Sequence, residues 1–179
     1  MGATSSQTPG APHAADGEAR VRAVFEASYR RLVGQLYGVC GDMTEAEEVV
    51  AEAFARAVQH QRSFARLDNP EAWLRTVAVN VSRTRYRRTR LAARLERGEV
   101  RHPVLDEERL ALMEALRRLP VVQREAIALH YLADLPVAEV ARCQDVPVGT
   151  VKTRLSRGRT ALAALMGTRE PHDEEVRRA

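Results

Sequence analysis

Between Pro147 and Arg159 the chain reads PVGTVKTRLSRGR. Val148, Val151 and Leu155, with Leu162 and Leu165 beyond them, recur at helical intervals and draw one apolar stripe that holds the segment against its neighbours. Thr150, Lys152, Thr153, Arg154, Ser156 and Arg157 fall on the remaining faces together with Arg159. No acid occurs from residue 146 to residue 166. Fixed cations and hydroxyls on an exposed helix suit phosphate oxygens and base edges in a major groove, so the chemistry offered is recognition of a polyanion.

The segment just before it completes a recognisable unit. VAEVARCQDVPVGTVKTRL has the layout of two short helices joined by a tight turn, a helix-turn-helix, with small Ala141 where the helices cross. Asp145 occupies the turn position where glycine is usual; aspartate enters the left-handed region more readily than most residues, and the turn is expected to survive.

A second cationic tract lies upstream. Residues 61–97 carry ten arginines against three acids, while outside the two tracts acids outnumber bases, within a chain of net charge +4. Two separated positive patches in an otherwise acidic protein point to two contacts with one polyanion. Within the first patch Arg83, Arg85, Arg87, Arg88, Arg90, Arg94 and Arg97 surround Tyr86. A third feature has the opposite sign: Glu45, Glu48 and Glu52, with Arg56, fall on the outer face of a helix whose buried stripe is Ala46, Val49, Val50, Ala53, Phe54, Ala57 and Val58. That face is either a wet surface with an i, i+4 ion pair or a protein-docking site.

Eight aromatics among 179 residues and abundant Ala, Leu, Arg and Glu favour an all-α fold. Residues 1–18 are small, polar and Pro/Gly-rich and read as a disordered tail. A helix follows from Val21, on the stripe Val24, Phe25, Tyr29, Leu32, Val33, Leu36, Tyr37 and Cys40, to a stop at Gly41. Thr44 and Glu47 match a capping box at the start of the next helix, and Asn69-Pro70 opens a third with Trp73, Leu74, Val77, Ala78 and Val81 inward. One helical domain then spans residues 19–97. Gly98, Pro103 and a run of acids place a flexible linker at 98–107, a second helical domain spans 108–166, and 167–179 is a frayed tail.

Enzymatic signatures are missing from the sequence. It holds no phosphate-cradling G-x-x-x-x-G-K-[ST], H-E-x-x-H or G-x-S-x-G, and the five histidines are scattered. Cys40 and Cys143 are far apart and lack metal-ligand spacing, so reduced, buried thiols are expected, with no metal and no cofactor. No apolar run is long enough to span a membrane and no signal-peptide order is present, so a cytoplasmic location without membrane insertion is expected.

Together the two modules resemble the bacterial sigma factors, in particular the small extracytoplasmic-function (ECF) group built from sigma domains 2 and 4. AEEVVAEAFARAV is similar to the family's core-polymerase-binding helix, with Glu48, Val49, Val50, Glu52 and Phe54 matching and Ala51 standing where Gln is common. NPEAWLRTVAVNVSRTRYRR resembles the promoter-melting helix through Trp73, Leu74, Asn80 and Arg87, with Thr84 replacing a frequent Asp. LRRLPVVQREAIALHYLADLPVAEVA and VPVGTVKTRLSRGRTAL resemble the reader of the −35 element, departing at Pro136 and Asp145.

The resemblance implies a factor that directs core RNA polymerase to promoter DNA and has no catalytic residues or small-molecule substrate of its own. On it, Glu48, Val49, Glu52 and Phe54 bind core polymerase; Arg66, Asn69, Asn80, Arg83, Arg87 and Arg88 take the unpaired −10 strand; and Thr150, Lys152, Thr153, Arg154, Ser156 and Arg157 read the −35 duplex. An anti-sigma factor is a further implied partner. The alternative is a stand-alone helix-turn-helix regulator, which shares the second module but needs neither the acidic helix nor the first basic patch.

Overall fold

The computed structural model describes residues 14–92 and 106–167, with side chains described for 16–88 and 106–167. The described residues form helices joined by short connections. In the first half these are α1 (Ala14–Cys40), α2 (Met43–Gln59), the single turn α3 (Gln61–Phe64) and α4 (Pro70–Ala92). In the second they are α5 (Glu107–Arg118), α6 (Val121–Ile127) continuing into a π turn at Ala128–Leu132, α7 (Val137–Gln144) and α8 (Val148–Gly167). Most of the expected linker, the early N-terminal residues and the last residues lie outside the described part of the chain.

Helix α1 starts seven residues before Val21, so residues 14–18, read from composition as tail, are helical. It ends as expected at Gly41, whose φ of 76° lets its amide reach the Tyr37 carbonyl at 2.7 Å. The residue after this left-handed stop then decides the next cap. Asp42 sits in extended backbone and its carboxylate accepts from the Glu45 amide at 2.9 Å. The capping box expected at Thr44 and Glu47 is thereby corrected: Thr44 lies within the first turn, its hydroxyl buried without a hydrogen-bond partner. Asn69 does cap α4 as expected, accepting from the Ala72 amide at 2.9 Å.

Leu32, Leu36, Val49, Val50, Phe54, Leu74, Ala78 and Val79 meet in the core of the first half. Trp73 is a core residue, edge-on to Phe64 with ring centroids 5.6 Å apart. Phe25 stays partly exposed, tilted against Tyr29 at 4.6 Å and edge-on to Phe54 at 5.1 Å. In the second half Leu116, Leu129, Val140, Val151 and Leu155 are buried, and Ala141 fills the helix crossing. Val148, expected in the stripe, is instead exposed in the first turn of α8, where no preceding turn shelters it.

The two halves do not float apart on a tether. α1 packs on α6 and on the π turn, α4 packs on α7, and the buried side chains of both halves form one continuous cluster. Gly38 makes the approach possible, because a β-carbon there would stand 2.6 Å from Leu132 Cδ1 and 3.1 Å from Ala128 Cβ. Among the described residues no helix is long and apolar enough to cross a membrane.

Candidate nucleic-acid and polymerase interface

The helix-turn-helix forms as its residues demand. Asp145 ends α7 with φ 50° and ψ 53°, and the Val146 amide returns to the Ala141 carbonyl at 3.1 Å. A β-branched residue in that left-handed position is strained by about 1–2 kcal/mol. Asp145→Val is therefore expected to lower unfolding stability by that amount and Asp145→Gly to leave it unchanged or raise it, as read by urea denaturation.

Past this turn, Val151 and Leu155 face inward and the polar residues between them face out. Thr150, Thr153, Arg154 and Arg157 line one shallow groove of about 300 Å³ together with Val122 and Gln123. Lys152 and Ser156 are exposed on the same helix outside that groove. Gln123 was not anticipated as part of the surface, because nothing in its sequence neighbourhood predicts that the start of α6 comes alongside α8. Arg154 is held back: it is half-buried and donates to Gln144 Oε1 at 2.9 Å.

The residues expected to take an unpaired strand divide into three places. Arg66 lines an open surface hollow of about 760 Å³ with His60, Gln61, Arg62, Ser63 and Leu67. Asn69 is exposed at the start of α4 with its carbonyl oxygen committed to the cap. Asn80, Arg83 and Arg87 line a different, larger cleft of about 1140 Å³ between α4 and the second half, while Arg88 is exposed nearby. Asn80 is exposed on α4.

Arg83 departs furthest from expectation. Its Nε and NH2 grip the Glu125 carboxylate, with distances of 2.9 and 2.6 Å to Oε2, and NH1 reaches the Gln144 carbonyl at 3.3 Å. In this conformation its guanidinium is occupied by the second half and is not presented to DNA. Sequence reasoning missed Glu125, which is 1% exposed, because a carboxylate inside an otherwise apolar helix face carries no sign of which of many arginines it pairs with.

On α2 the proposed docking set also splits. Val49 and Phe54 are buried at 0% and 5% exposure, so they cannot meet a polymerase directly in this conformation; they belong to the apolar stripe that seats the helix. Glu48 and Glu52 remain on the surface. Arg85 from α4 reaches across to them, pairing with Glu48, lying 3.4 Å from Glu45 and 3.7 Å from Glu52. Burial pushes the Glu45 carboxyl above its ordinary value, opposed by the Arg85 charge. The acidic face is thus partly neutralised by one cation borrowed from the basic helix.

Cys40 is not poised for chemistry. Burial pushes the Cys40 thiol up to about 12, and the Ser82 hydroxyl beside it at 3.5 Å offsets little of that. Cys143 is buried against Thr76.

The comparisons with known proteins agree with this layout. The family model described as Sigma-70 region 2 matches residues 24–92, and that described as Sigma-70, region 4 matches residues 109–162. The ECF RNA polymerase sigma factor SigW of Bacillus subtilis is 32% identical over 154 residues, covering 75% of this chain and 82% of the relative. SigM of Mycobacterium tuberculosis, another ECF sigma factor, is 31% identical over 155 residues, covering 82% and 79%. Among solved structures, the sigma factor RpoE of Bartonella quintana, in complex with the anti-sigma factor NepR, superposes with a TM-score of 0.71 at 24% identity, over 84% of this chain and 99% of that one. With both sigma regions matched, the chain belongs to the ECF sigma factors of RNA polymerase, non-enzymatic proteins that direct promoter-specific transcription initiation.

Proposed function

We propose a division of labour among the three faces. The exposed carboxylates Glu48 and Glu52 dock on core RNA polymerase, the hollow around Arg66 together with Asn69, Asn80, Arg87 and Arg88 captures the unpaired −10 strand, and the outer face of α8 reads the −35 duplex. One observation carries the reading: α2 spends its apolar stripe on the core and keeps its acids outside, whereas α8 spends its stripe and keeps cations and hydroxyls outside. Surfaces of opposite sign suit two different partners, a basic protein element and a nucleic acid. Strand capture by a basic hollow follows the general pattern of single-strand binding. Likeness in fold to RpoE, which was crystallised with an anti-sigma factor, supports such a factor as a further partner. Membership of a family that works on RNA polymerase supports action in the cytoplasm.

Glu48→Lys with Glu52→Lys is expected to weaken core-polymerase binding at least about tenfold, or ~1.4 kcal/mol, while leaving helix content unchanged. Arg85→Ala strips one of the two neutralising cations, Arg56 on Glu52 being the other, and is expected to keep core binding at or above the wild-type level. Fluorescence titration of labelled protein with core polymerase measures both. Unchanged affinity in the double variant would remove α2 from the docking role.

A further inference from the structure

We infer that the first turns of α1 are a shelf that fixes the segment 60–69, and that Gly17 and Glu71 are positioning residues for capture of the −10 strand. This rests on the assignment of the hollow around Arg66 to that strand. The segment runs between two contacts with one helix. At its entry the start of α1 packs on α3, and Gly17 is buried there. A β-carbon on Gly17 would stand 3.0 Å from the Gln61 carbonyl oxygen and 3.1 Å from its carbon, so the two backbones meet with no side chain between them. At the exit, Glu71 on α4 accepts from Arg31 Nε on α1 and from Arg75 NH2, each at 3.1 Å. Arg75 in turn donates through Nε to Gln35 Oε1 on α1 at 3.0 Å. Gly17 and Arg31 stand roughly 21 Å apart along the axis of α1, so one rigid rod sets where both ends of the segment lie.

What lies between the two contacts cannot hold its own place. α3 is a single turn with no side-chain cap, far too short to be stable by itself. Its local bonds only close tight turns: the Phe64 amide reaches the His60 carbonyl at 2.9 Å, the Ser63 hydroxyl reaches the same carbonyl at 2.9 Å, and the Arg66 amide reaches the Ser63 carbonyl at 3.1 Å. Phe64, 1% exposed, plugs the inner side into the core, while Arg62, Ser63 and Arg66 stay exposed on the outer side and line the hollow. Gln61 joins shelf and hollow directly, because its backbone rests on Gly17 and it lines the hollow as well. Val21, one turn further along α1 and buried, ties the shelf to the core. A displacement of the entry therefore carries the cations that face the strand with it, and a misplacement of about 1 Å in a binding group costs up to about a hundredfold.

Gly17→Leu in the full chain tests this. The new side chain either lifts the segment or peels the first turns of α1 away, and both free the entry. Trypsin cleavage after Arg62 and Arg66, followed by fragment mass, is expected to accelerate at least about tenfold, since cleavage needs locally opened backbone. The second readout uses holoenzyme and a forked template, made from a promoter that wild type initiates on, with its −10 strand unpaired. The variant is expected to lose at least about tenfold in preference for that strand over a scrambled one, with core-polymerase affinity unchanged. Gly17→Ala needs its neighbour to give by only a few tenths of an ångström and is expected to stay within about twofold of wild type. Glu71→Gln acts from the exit with no steric intrusion and is expected to lower the preference about threefold. Unchanged trypsin cleavage in Gly17→Leu, or faster cleavage with wild-type preference, overturns the shelf. If Gly17→Leu loses core affinity as well, Glu71→Gln decides, and wild-type preference there overturns it. Should Arg66→Ala also keep wild-type preference, the assignment of the hollow fails instead, and the trypsin result alone decides whether α1 holds the segment.

Discussion

Lys152→Glu combined with Arg157→Glu is expected to cut promoter-specific initiation by about a hundredfold while core-polymerase affinity stays at the wild-type value. Both side chains are exposed on α8, and the helix is anchored by Val151 and Leu155, so the fold does not depend on them. Each lost contact to phosphate removes about one unit of salt slope and about 1–3 kcal/mol if a base contact goes with it. Two losses of ~1.4 kcal/mol make the hundredfold. Run-off transcription at several salt concentrations, set beside a core-binding titration, separates the two quantities. Initiation that keeps its rate and its salt dependence would remove α8 from DNA contact. Arg154→Ala is a weaker perturbation in the free chain, because Arg154 is engaged with Gln144 before any DNA arrives.

Gly158→Leu is expected to destabilise the second half by about 3 kcal/mol, near the upper end for overpacking, and to abolish −35 reading with it. Gly158 is buried in the middle of α8, where a β-carbon would come within 2.9 Å of Ile127 Cγ1 on α6. A leucine there must push α8 off α6, and every residue proposed to read the duplex rides on α8. The milder Gly158→Ala sets a helix-propensity gain of up to ~1 kcal/mol against that contact, so its net effect is small. Urea denaturation of the full chain gives the stability. A wild-type midpoint for Gly158→Leu would mean that α8 does not lie on α6 as described.

Gly158 also marks what the sequence did and did not make legible. Read alone, it sits between two arginines in a cationic run and looks like a spacer, because a glycine chosen for close approach differs in no local way from one chosen for flexibility. The helix-turn-helix was readable since its determinants are local: Asp145 in the left-handed turn, Ala141 at the crossing, Val151 and Leu155 four apart. Capping was half-readable. Asn69 was found, whereas Asp42 outcompeted Thr44 because the stop at Gly41 decides which residue first leaves the left-handed conformation. The π turn at Ala128–Leu132 has no periodic signature, being a single widened turn within what reads as one continuous helix. Least legible were the ion pairs across the fold. Arg83 meets Glu125 forty-two residues away and Arg85 meets Glu48 thirty-seven away, and among the described residues their neighbours Arg87 and Arg88 meet neither.

The bond from Arg124 to the Val39 carbonyl closes a loop of 85 residues, which sets an order of events at the ribosome. At about 5–20 residues per second, Val39 emerges some ~4–17 s before Arg124 is made. During that interval the nascent α1 to α4 bundle has no partner half to lean on, and Arg83 has no Glu125 to clasp. A newly made molecule thus completes most of its first helical half before the residue that ties it to the second half exists.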